Sequence, residues 1–243
     1  MAETKPNNEV NQEDNAWNPK TRLGREVLQG KFSRMEEVLL SGRKIMEPEV
    51  TDYLLPDLST ELINVGQAKG KFGGGKRKAS KSTQKVTREG SNVSFTVVVA
   101  SGNKQGIVGL GFGKARENVP AREKSIRKAK ENLLLIRRGC GDWGCFCGGS
   151  HSIPFAVSGK CGSAQVTLMP APKGTGLVVE AELRKVLELA GVKDVWSYTK
   201  GNPKNKINFL KAGMRALAQL EEMRLNPNVI EGRGIKEGDR NEQ

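Results

Sequence analysis

Three cysteines and the only histidine of the chain lie within twelve positions, and they are the most specific candidates for a chemical site in the sequence. Cys140, Cys145, Cys147 and His151 stand in a glycine-rich stretch, which lets the backbone fold tightly around a common centre. Three thiolates and one imidazole form a closed tetrahedral ligand set for a structural zinc ion. The spacing lacks the paired two-residue gap of zinc knuckles, so free reduced thiols and a disulfide remain alternatives, and Cys161 could replace one ligand.

The same residues do not predict an enzyme. A zinc deaminase needs an acid two positions after the histidine, and Ile153 stands there. Full ligation by four side chains also leaves no open position for water. A nuclease needs clustered carboxylates, or a histidine positioned with an acid, and the most basic part of the chain has few acids. We therefore expect no catalytic residues.

The positive charge of the chain is concentrated in one block. The 243 residues carry a net charge of +13, and residues 69–138 hold 18 Lys or Arg against 4 Asp or Glu. The remainder is close to neutral, which indicates a dedicated polyanion-binding region rather than a generally basic surface. Nucleic acid fits this region best, because the block has no amphipathic face rich in Trp or Phe that would favour a membrane surface.

The stretch from Gly106 to Arg138 organises this block. It predicts a short strand from Ile107 to Leu110 and a glycine-rich turn at Gly109–Gly113. A helix of about five turns follows, from an N-cap at Asn118 to a stop at Gly139. A dinucleotide loop or P-loop does not fit, because Ala115 rather than Ser or Thr follows Lys114 and no glycine stands five positions before Gly113. The turn is then either a plain connection or one that presents N–H groups to phosphate at the positive end of the helix dipole. The buried helix face is expected at positions 126, 129, 133 and 136.

A lysine- and glycine-rich loop spans residues 69–81 and has no apolar pattern. It reads as a flexible linker when unbound, and we expect it to bind RNA. With the cations of the helix region and of two later loops, it completes the predicted RNA-binding set. This set is Lys69, Lys71, Lys76, Arg77, Lys78, Lys81, Lys85, Arg88, Lys114, Arg116, Arg122, Lys124, Arg127, Lys128, Lys173 and Lys204.

The hydrophobic pattern predicts two α+β domains. Strands at 84–88, 92–100 and 107–110 precede the basic helix, and a helix near 57–63 comes before them, which gives the α-β-β-β-α order of a double-stranded-RNA-binding module. The second domain is predicted as β-β-α-β-α. Its strands are expected at 153–157, 164–169 and 192–199, and its helices at 178–190 and 205–224. The loop before the first of these helices, residues 170–176, is either a tight connection or a second phosphate contact.

The remaining segments are predicted from composition. Residues 1–16 are expected to be disordered and 226–243 to form a polar tail. Short helices are expected at 33–40 and 48–55, with Leu54 and Leu55 docking on a core. No apolar run reaches membrane-spanning length, and MAETKPNNEV lacks the apolar core of a signal peptide. We expect a reducing cytoplasmic compartment, where disulfides are rare.

Several long motifs in order across about 200 residues resemble the small-subunit ribosomal protein of the S-five family, in its archaeal and eukaryotic form. The matching runs are WNPKTRLG at 17–24, EPEVTDYLLPDL at 47–58, VGLGFGKARENVPA at 108–121, HSIPFAVSGKCGS at 151–163, LMPAPKGTGLVV at 168–179 and VLELAGVKDVW at 186–196. One departure is the insert at 66–82, because family members usually run almost directly from the first helix into the first strand.

The resemblance implies a structural constituent of the small ribosomal subunit. Such a protein would bind small-subunit rRNA near the decoding region and the messenger RNA entry path, and would support assembly and translational accuracy. Neighbours of the S-four and S-eight families would lie against Gly162–Met169 and the following loop. No membrane and no second copy of the chain is expected as a partner. The alternative function is a free-standing double-stranded-RNA-binding regulator.

The resemblance also implies a domain division and a topology. We expect a tail at 1–16, a helical extension at 17–56, a double-stranded-RNA-binding-like domain at 57–138, a Cys/His loop at 139–151, a βαβ domain at 152–225 and a tail at 226–243. Parallel βαβ units are right-handed in about 98% of cases. The second domain of the family is an exception with a left-handed crossover, and we expect the same here.

Overall fold

The computed structural model describes residues 17–67, 77–145 and 147–238 and has the predicted α+β class, with largely antiparallel sheets. The helices are α1 Arg22–Leu28, α2 Met35–Leu40, α3 Pro48–Leu54, α4 Asn118–Glu131, α5 Ala181–Leu189, α6 Lys206–Glu222 and α7 Pro227–Gly232. The strands are β1 Ser59–Ile63, β2 Ser80–Thr87, β3 Gly90–Gly102, β4 Ile107–Ala115, β5 Leu133–Leu135, β6 Arg137–Arg138, β7 Val157–Cys161, β8 Ala164–Pro170, β9 Leu177–Val178, β10 Val195–Lys200 and β11 Lys236–Glu237. Among the helices so described, none has the length and apolar character needed to cross a bilayer.

The first sheet is built on the long strand β3. One edge of β3 pairs antiparallel with β4, which in turn pairs with β5. Its other edge pairs with both β1 and β2, in continuous register: Ile63 lies opposite Val98 and Ser80 lies opposite the next residue, Val97. Gly66 N–H donates to the Lys78 carbonyl at 2.8 Å and closes the base of the intervening segment. The insert therefore interrupts an edge strand without changing the register of the sheet.

Helix α4 packs directly on the backbone of β4. A Cβ atom on any of three alternate glycines of β4 would lie 2.0–2.3 Å from a carbonyl oxygen of the helix. The three pairs are Gly109 with Ala129, Gly111 with Ser125 and Gly113 with Ala121. The helix residues of these pairs are fully buried and small. Helix and strand thus approach so closely that only glycine fits on this face of the strand.

The two faces of the first sheet pack against different hydrophobic clusters. Val97 and Val99 of β3 pack with Ala121 and Ala129 beneath α4. The alternate residue Val98, with its neighbours on the same face, belongs to a larger cluster that includes the second sheet, α5 and α6. This alternation is the period of two that a strand buried on both faces requires. One continuous apolar cluster therefore joins both sheets.

The N-terminal helices α1 to α3 form a third cluster against β4 and β5. The helices α2 and α3 agree with those predicted at 33–40 and 48–55, and Leu54 and Leu55 pack against this cluster as expected. Thr51 Oγ1 donates to the Lys130 carbonyl at 3.0 Å, and Lys130 Nζ lies 2.6 Å from an Asp52 oxygen. Helix α3 is thereby fixed to the C-terminal end of α4.

The second sheet has the strand order β7-β8-β10-β9, in which only β9 and β10 are parallel. Helix α5 connects these two strands as a parallel β-α-β unit. The strands that the sequence predicts on either side of this helix, at 164–169 and 192–199, are β8 and β10, which pair antiparallel, and β9 was not predicted. Helix α6 packs on β7 through another close approach, because a Cβ on Gly159 would lie 2.1 Å from the Ala212 carbonyl oxygen. Gly191 follows the end of α5 with a φ of +78°, and its N–H donates to the Glu188 carbonyl, which is the geometry of a glycine C-terminal cap.

Several predictions for the first half are wrong. The helix expected near 57–63 is strand β1, which is paired with β3 along its length. The glycine-rich turn is the interior of strand β4, so neither form of that turn exists. Helix α4 has Glu117 as its N-cap and ends at Glu131, because Leu133–Leu135 pairs with β4 as β5. Its buried positions are consequently 121, 125 and 129, and positions 133 and 136 lie outside it.

The second half also needs correction. The strand expected at 153–157 lies at 157–161, where a Gly162 turn with φ +61° allows pairing with β8. The helix expected from 178 begins at Ala181, after the short strand β9. The expected tail contains α7, and β11 pairs antiparallel with β6. The tail expected at 1–16 lies outside the described residues.

The packing of α4 predicts a specific instability. Gly111→Ala should lower the free energy of unfolding by about 2–3 kcal/mol, because a methyl group would push the helix away from the sheet. Gly232→Ala is the matched control, since nothing lies within 4 Å of its added Cβ, and it should be neutral or slightly stabilising. Urea unfolding measures both. Equal stability of the two variants would contradict the close approach.

Candidate nucleic-acid interface and metal centre

The three cysteines and the histidine converge in the structure. The ligand atoms of Cys140, Cys145, Cys147 and His151 all lie within 4.8 Å of one another, and Cys145 Sγ is 3.7 Å from His151 Nε2. A tetrahedron with Zn–S bonds of about 2.3 Å has edges of about 3.7 Å. Spacing and donor chemistry therefore suit a closed metal site. Cys161 lies at the end of β7 and is not part of this group.

The chain fixes the ends of the cysteine loop. Gly139 and Ser152 form a two-residue antiparallel bridge at its base. A Cβ on Gly141 would lie 2.2 Å from the Pro154 carbonyl oxygen, so the backbone passes where no side chain fits. The Cys140 N–H donates to the Arg233 carbonyl at 3.1 Å, which ties the C-terminal segment to the loop. The glycines that flank the ligands thus allow the tight course that the sequence indicated.

Asp194 orients the histidine. The His151 ring, with a side chain 9% exposed, places Nδ1 2.8 Å from Asp194 Oδ2 and leaves Nε2 toward the thiols. The other Asp194 oxygen accepts the N–H groups of Gly174 and Gly176 at 3.1 and 2.7 Å. A carboxylate behind a ligand histidine fixes its tautomer and its ring orientation. Sequence reasoning missed Asp194, because it lies 43 positions beyond His151 and no spacing connects the two.

The thiols have different proton affinities. The pKa of Cys145 is lowered to about 6, first by a hydrogen bond from the Lys173 backbone and then by bonds with Cys147. Burial raises the pKa of Cys140 to about 11, and its bonds with Cys145 and Cys147 add to this. Residues 172–176 therefore contact the cysteine–histidine group at two points. The Lys173 backbone hydrogen-bonds to Cys145, and the N–H groups of Gly174 and Gly176 bond to Asp194 behind the histidine.

The basic side of α4 faces outward. Because α4 buries Ala121, Ser125 and Ala129, the side chains of Lys124, Arg127 and Lys128 are exposed. With Lys114 of β4 they line a groove of about 460 Å³. In the described part of the chain none of these four has an ion-pair partner, whereas Lys130 on the same helix pairs with Asp52. The structure thus brings four predicted cations together.

A projecting ribbon carries three more predicted cations. Strand β2 and the first part of β3 expose side chains on both faces; Val86 is 79% exposed. Lys81, Lys85 and Arg88 are exposed on this ribbon. A two-stranded ribbon without a covered face gains little stability from its own packing. Because both of its faces are exposed, the ribbon is accessible to a binding partner.

The other predicted cations are distributed more widely. Arg77 and Lys78 are exposed before β2, and Arg116 and Arg122 flank the start of α4. Lys173 is exposed beside the cysteine loop, and Lys204 is exposed before α6, apart from the groove. Lys69, Lys71 and Lys76 lie outside the described residues. The predicted set therefore forms one groove with an adjacent ribbon, together with separate positions at Lys173 and Lys204.

Comparison with known proteins shows extensive similarity. Residues 79–137 match the family model described as ribosomal protein S5, N-terminal domain, and residues 159–233 match ribosomal protein S5, C-terminal domain. The chain is 43% identical over 219 residues to small ribosomal subunit protein uS5 of Methanothermobacter thermautotrophicus, covering 90% of this chain and 94% of the relative. It is 47% identical over 201 residues to the protein of that name from Staphylothermus marinus, covering 83% and 87%.

The two thiols should be distinguishable by alkylation. In protein freed of metal, carboxymethylation of Cys145 should reach half its maximal rate near pH 6 and level off above it, because the thiolate is the reactive form. Cys140 should stay slow until far more alkaline pH, near its pKa of about 11. Peptide mass spectrometry over a pH series measures both. A shared midpoint would contradict the described contacts.

Proposed function

The chain belongs to the ribosomal protein S5 family, in its archaeal type, and is a structural, non-enzymatic constituent of the small ribosomal subunit; on this premise we propose that the α4 groove and the β2–β3 ribbon bind small-subunit rRNA. Its place is in the cytoplasm, within the ribosome. A free-standing double-stranded-RNA-binding regulator is not favoured, because the matched relatives are ribosomal proteins along nearly their whole length.

The observation that carries this proposal is the outward placement of Lys124, Arg127 and Lys128 by the glycine contacts beneath α4. With Lys114, these residues give the groove four cations against one acid, Glu131. This excess of positive charge is suited to neutralising RNA phosphates, and the release of counterions then supplies binding free energy. The ribbon extends this surface with Lys81, Lys85 and Arg88. Contacts of this kind fix position and register on RNA and do not read its sequence.

Finer features follow from the resemblance. We propose that the bound rRNA lies near the decoding region and the messenger RNA entry path, and that the insert at 66–82 adds phosphate contacts. The grouping of residues 57–138 as one RNA-binding domain, the βαβ domain at 152–225 and a left-handed β9–α5–β10 crossover belong to the same proposal. Its support is the run of shared motifs and the parallel pairing of β9 with β10.

We also propose that Cys140, Cys145, Cys147 and His151 bind a structural zinc ion. The support is the convergence of four suitable donors and the Asp194 carboxylate behind the histidine. Bound zinc would cross-link the cysteine loop, and four protein ligands would leave no position for substrate. Asp194 would then connect the centre to residues 172–176 and to the start of β10.

A protein neighbour is proposed for the second sheet. The open face of this sheet exposes Trp196, Tyr198 and Lys200 of β10, with Lys160 of β7 on the same side. Aromatic side chains on an uncovered face are enriched at protein interfaces. By the resemblance, proteins of the S-four and S-eight families lie against Gly162–Met169 and the loop that follows.

The RNA contact of α4 is tested by the salt dependence of binding. Alanine at Lys124, Arg127 and Lys128 together should reduce the slope of log affinity against log salt by about 2–3, since each phosphate contact contributes about 0.9. Alanine favours helix, so α4 should stay folded. The control is alanine at Lys31, Lys160 and Lys200, which are exposed elsewhere. An unchanged slope in the first variant would mean that this face meets solvent or protein.

Metal analysis tests the zinc centre. Protein purified without chelator should hold one zinc ion per chain, and Cys145→Ser should lose it, because three ligands bind zinc much more weakly than four. Cys161→Ser should retain the metal, since Cys161 lies outside the group. Absence of zinc from the unaltered chain, or loss in the Cys161 variant, would contradict the assignment.

Chemical crosslinking tests the protein neighbour. In intact small subunits, an amine-reactive crosslinker should join Lys160 and Lys200 to proteins of the S-four or S-eight families, because both amines flank the exposed aromatic side chains. Lys31 serves as the comparison position. Crosslinks of Lys160 and Lys200 to unrelated proteins only would show that the partner assignment is wrong.

A further inference from the structure

We propose that the chain has a second phosphate-binding site, which binds a backbone phosphate of RNA. It is a cavity of about 720 Å³ between the β3–β4 turn, the cysteine loop, residues 172–176 and the C-terminal end of α5. We call it the α5 basin. This inference rests on the proposed function, since it assigns a further contact to the same RNA partner. Of the five cations in the basin, only Lys173 was predicted from the sequence as an RNA contact.

The basin has an excess of positive charge. Its lining includes five cations, Lys104, Arg138, Lys173, Arg184 and Lys193, against two acids, Glu188 and Asp194. The Asp194 carboxylate is buried and already accepts hydrogen bonds from Gly174 and Gly176 while it contacts His151. Glu188 lies 3.8 Å from Arg184, and both side chains are about half exposed. Three exposed lysines thus remain for an anion.

The lysine of the β3–β4 turn is held in a strained conformation. Lys104 has a φ of +62°, and no other non-glycine residue in the described ranges has a positive φ. Its N–H donates to the Leu189 carbonyl at 2.8 Å, and Arg138 donates to the carbonyls of Lys104 and Gln105. Glycine would occupy this position without strain. A lysine at this position therefore costs backbone strain that glycine would not.

A purely structural role explains only part of this arrangement. Cations near the C-terminal end of α5 complement the helix dipole, which accounts for Lys104 and Lys193. It does not account for Lys173, which comes from the loop beneath the cysteine group and lines the same cavity. Lysines from three separate segments that line one cavity suit an anion with several acceptor oxygens, such as phosphate.

The test replaces the three lysines in the full-length chain. Lys104→Gln, Lys173→Gln and Lys193→Gln together should lower the salt slope of binding to transcribed small-subunit rRNA by about 1, the contribution of one phosphate contact. Replacement of the same three lysines by Arg should restore the slope, which separates loss of charge from loss of fold. Circular dichroism of both variants monitors folding. A double variant, Lys104→Gln with Lys193→Gln, leaves the loop at 172–176 intact and should reduce the salt slope less than the triple variant does.

Two parallel measurements separate the possible explanations. The triple-alanine variant of α4 tests the RNA contact of the proposed function. If its salt slope falls while the slope of the triple-glutamine basin variant is unchanged, the proposed function stands and the phosphate site in the α5 basin is wrong. Calorimetry with inorganic phosphate identifies the source of the anion. If the unaltered chain binds inorganic phosphate and the basin variant does not, while the RNA slope is the same for both, the basin serves free phosphate and the RNA assignment is wrong.

Discussion

The contact between helix α4 and the three glycines of β4 is the constraint on which the rest of the structure depends. Because Gly109, Gly111 and Gly113 have no side chains, the helix backbone lies against the strand with only small residues between them. The long cationic side chains must then point away from the sheet. This contact leaves the opposite face of β3 and β4 for the core shared with the second sheet. The packing of α4 on β4 thereby determines the direction in which the cationic side chains of α4 point.

Close backbone contacts of the same kind recur elsewhere in the molecule, and one of them joins its two halves. Gly159 allows α6 to approach β7, and Gly102 brings the end of β3 to the Leu189 carbonyl at the end of α5. Asp194 adds a polar connection, since one carboxylate touches His151 and the N–H groups of residues 174 and 176. The cysteine loop, the loop at 172–176 and the start of β10 are consequently positioned together. Loss of the proposed zinc ion would be expected to disturb all three, because they share this carboxylate.

The sequence was most informative where residue chemistry is local. The ligand types at 140, 145, 147 and 151 identified the cysteine group, and the charge count identified the cationic region. Long-range pairing was less accessible. Residues 59–63 form a strand because β3 offers an edge, although their own pattern predicts a helix. The glycines of β4 predict a turn, since a sequence does not reveal that a helix will lie against them. The contact of Asp194 with His151 could not be predicted from the sequence, because the two residues are 43 positions apart.

The central claim is that α4 presents its cations to rRNA within the small subunit. Ultraviolet crosslinking of intact small subunits, with mass spectrometry of nucleotide-bearing peptides, tests it most directly. The account predicts nucleotide adducts on peptides from α4 and from the β2–β3 ribbon, and none on the open face of β8 and β10. Adducts confined to that open face, with α4 unmodified, would contradict the account.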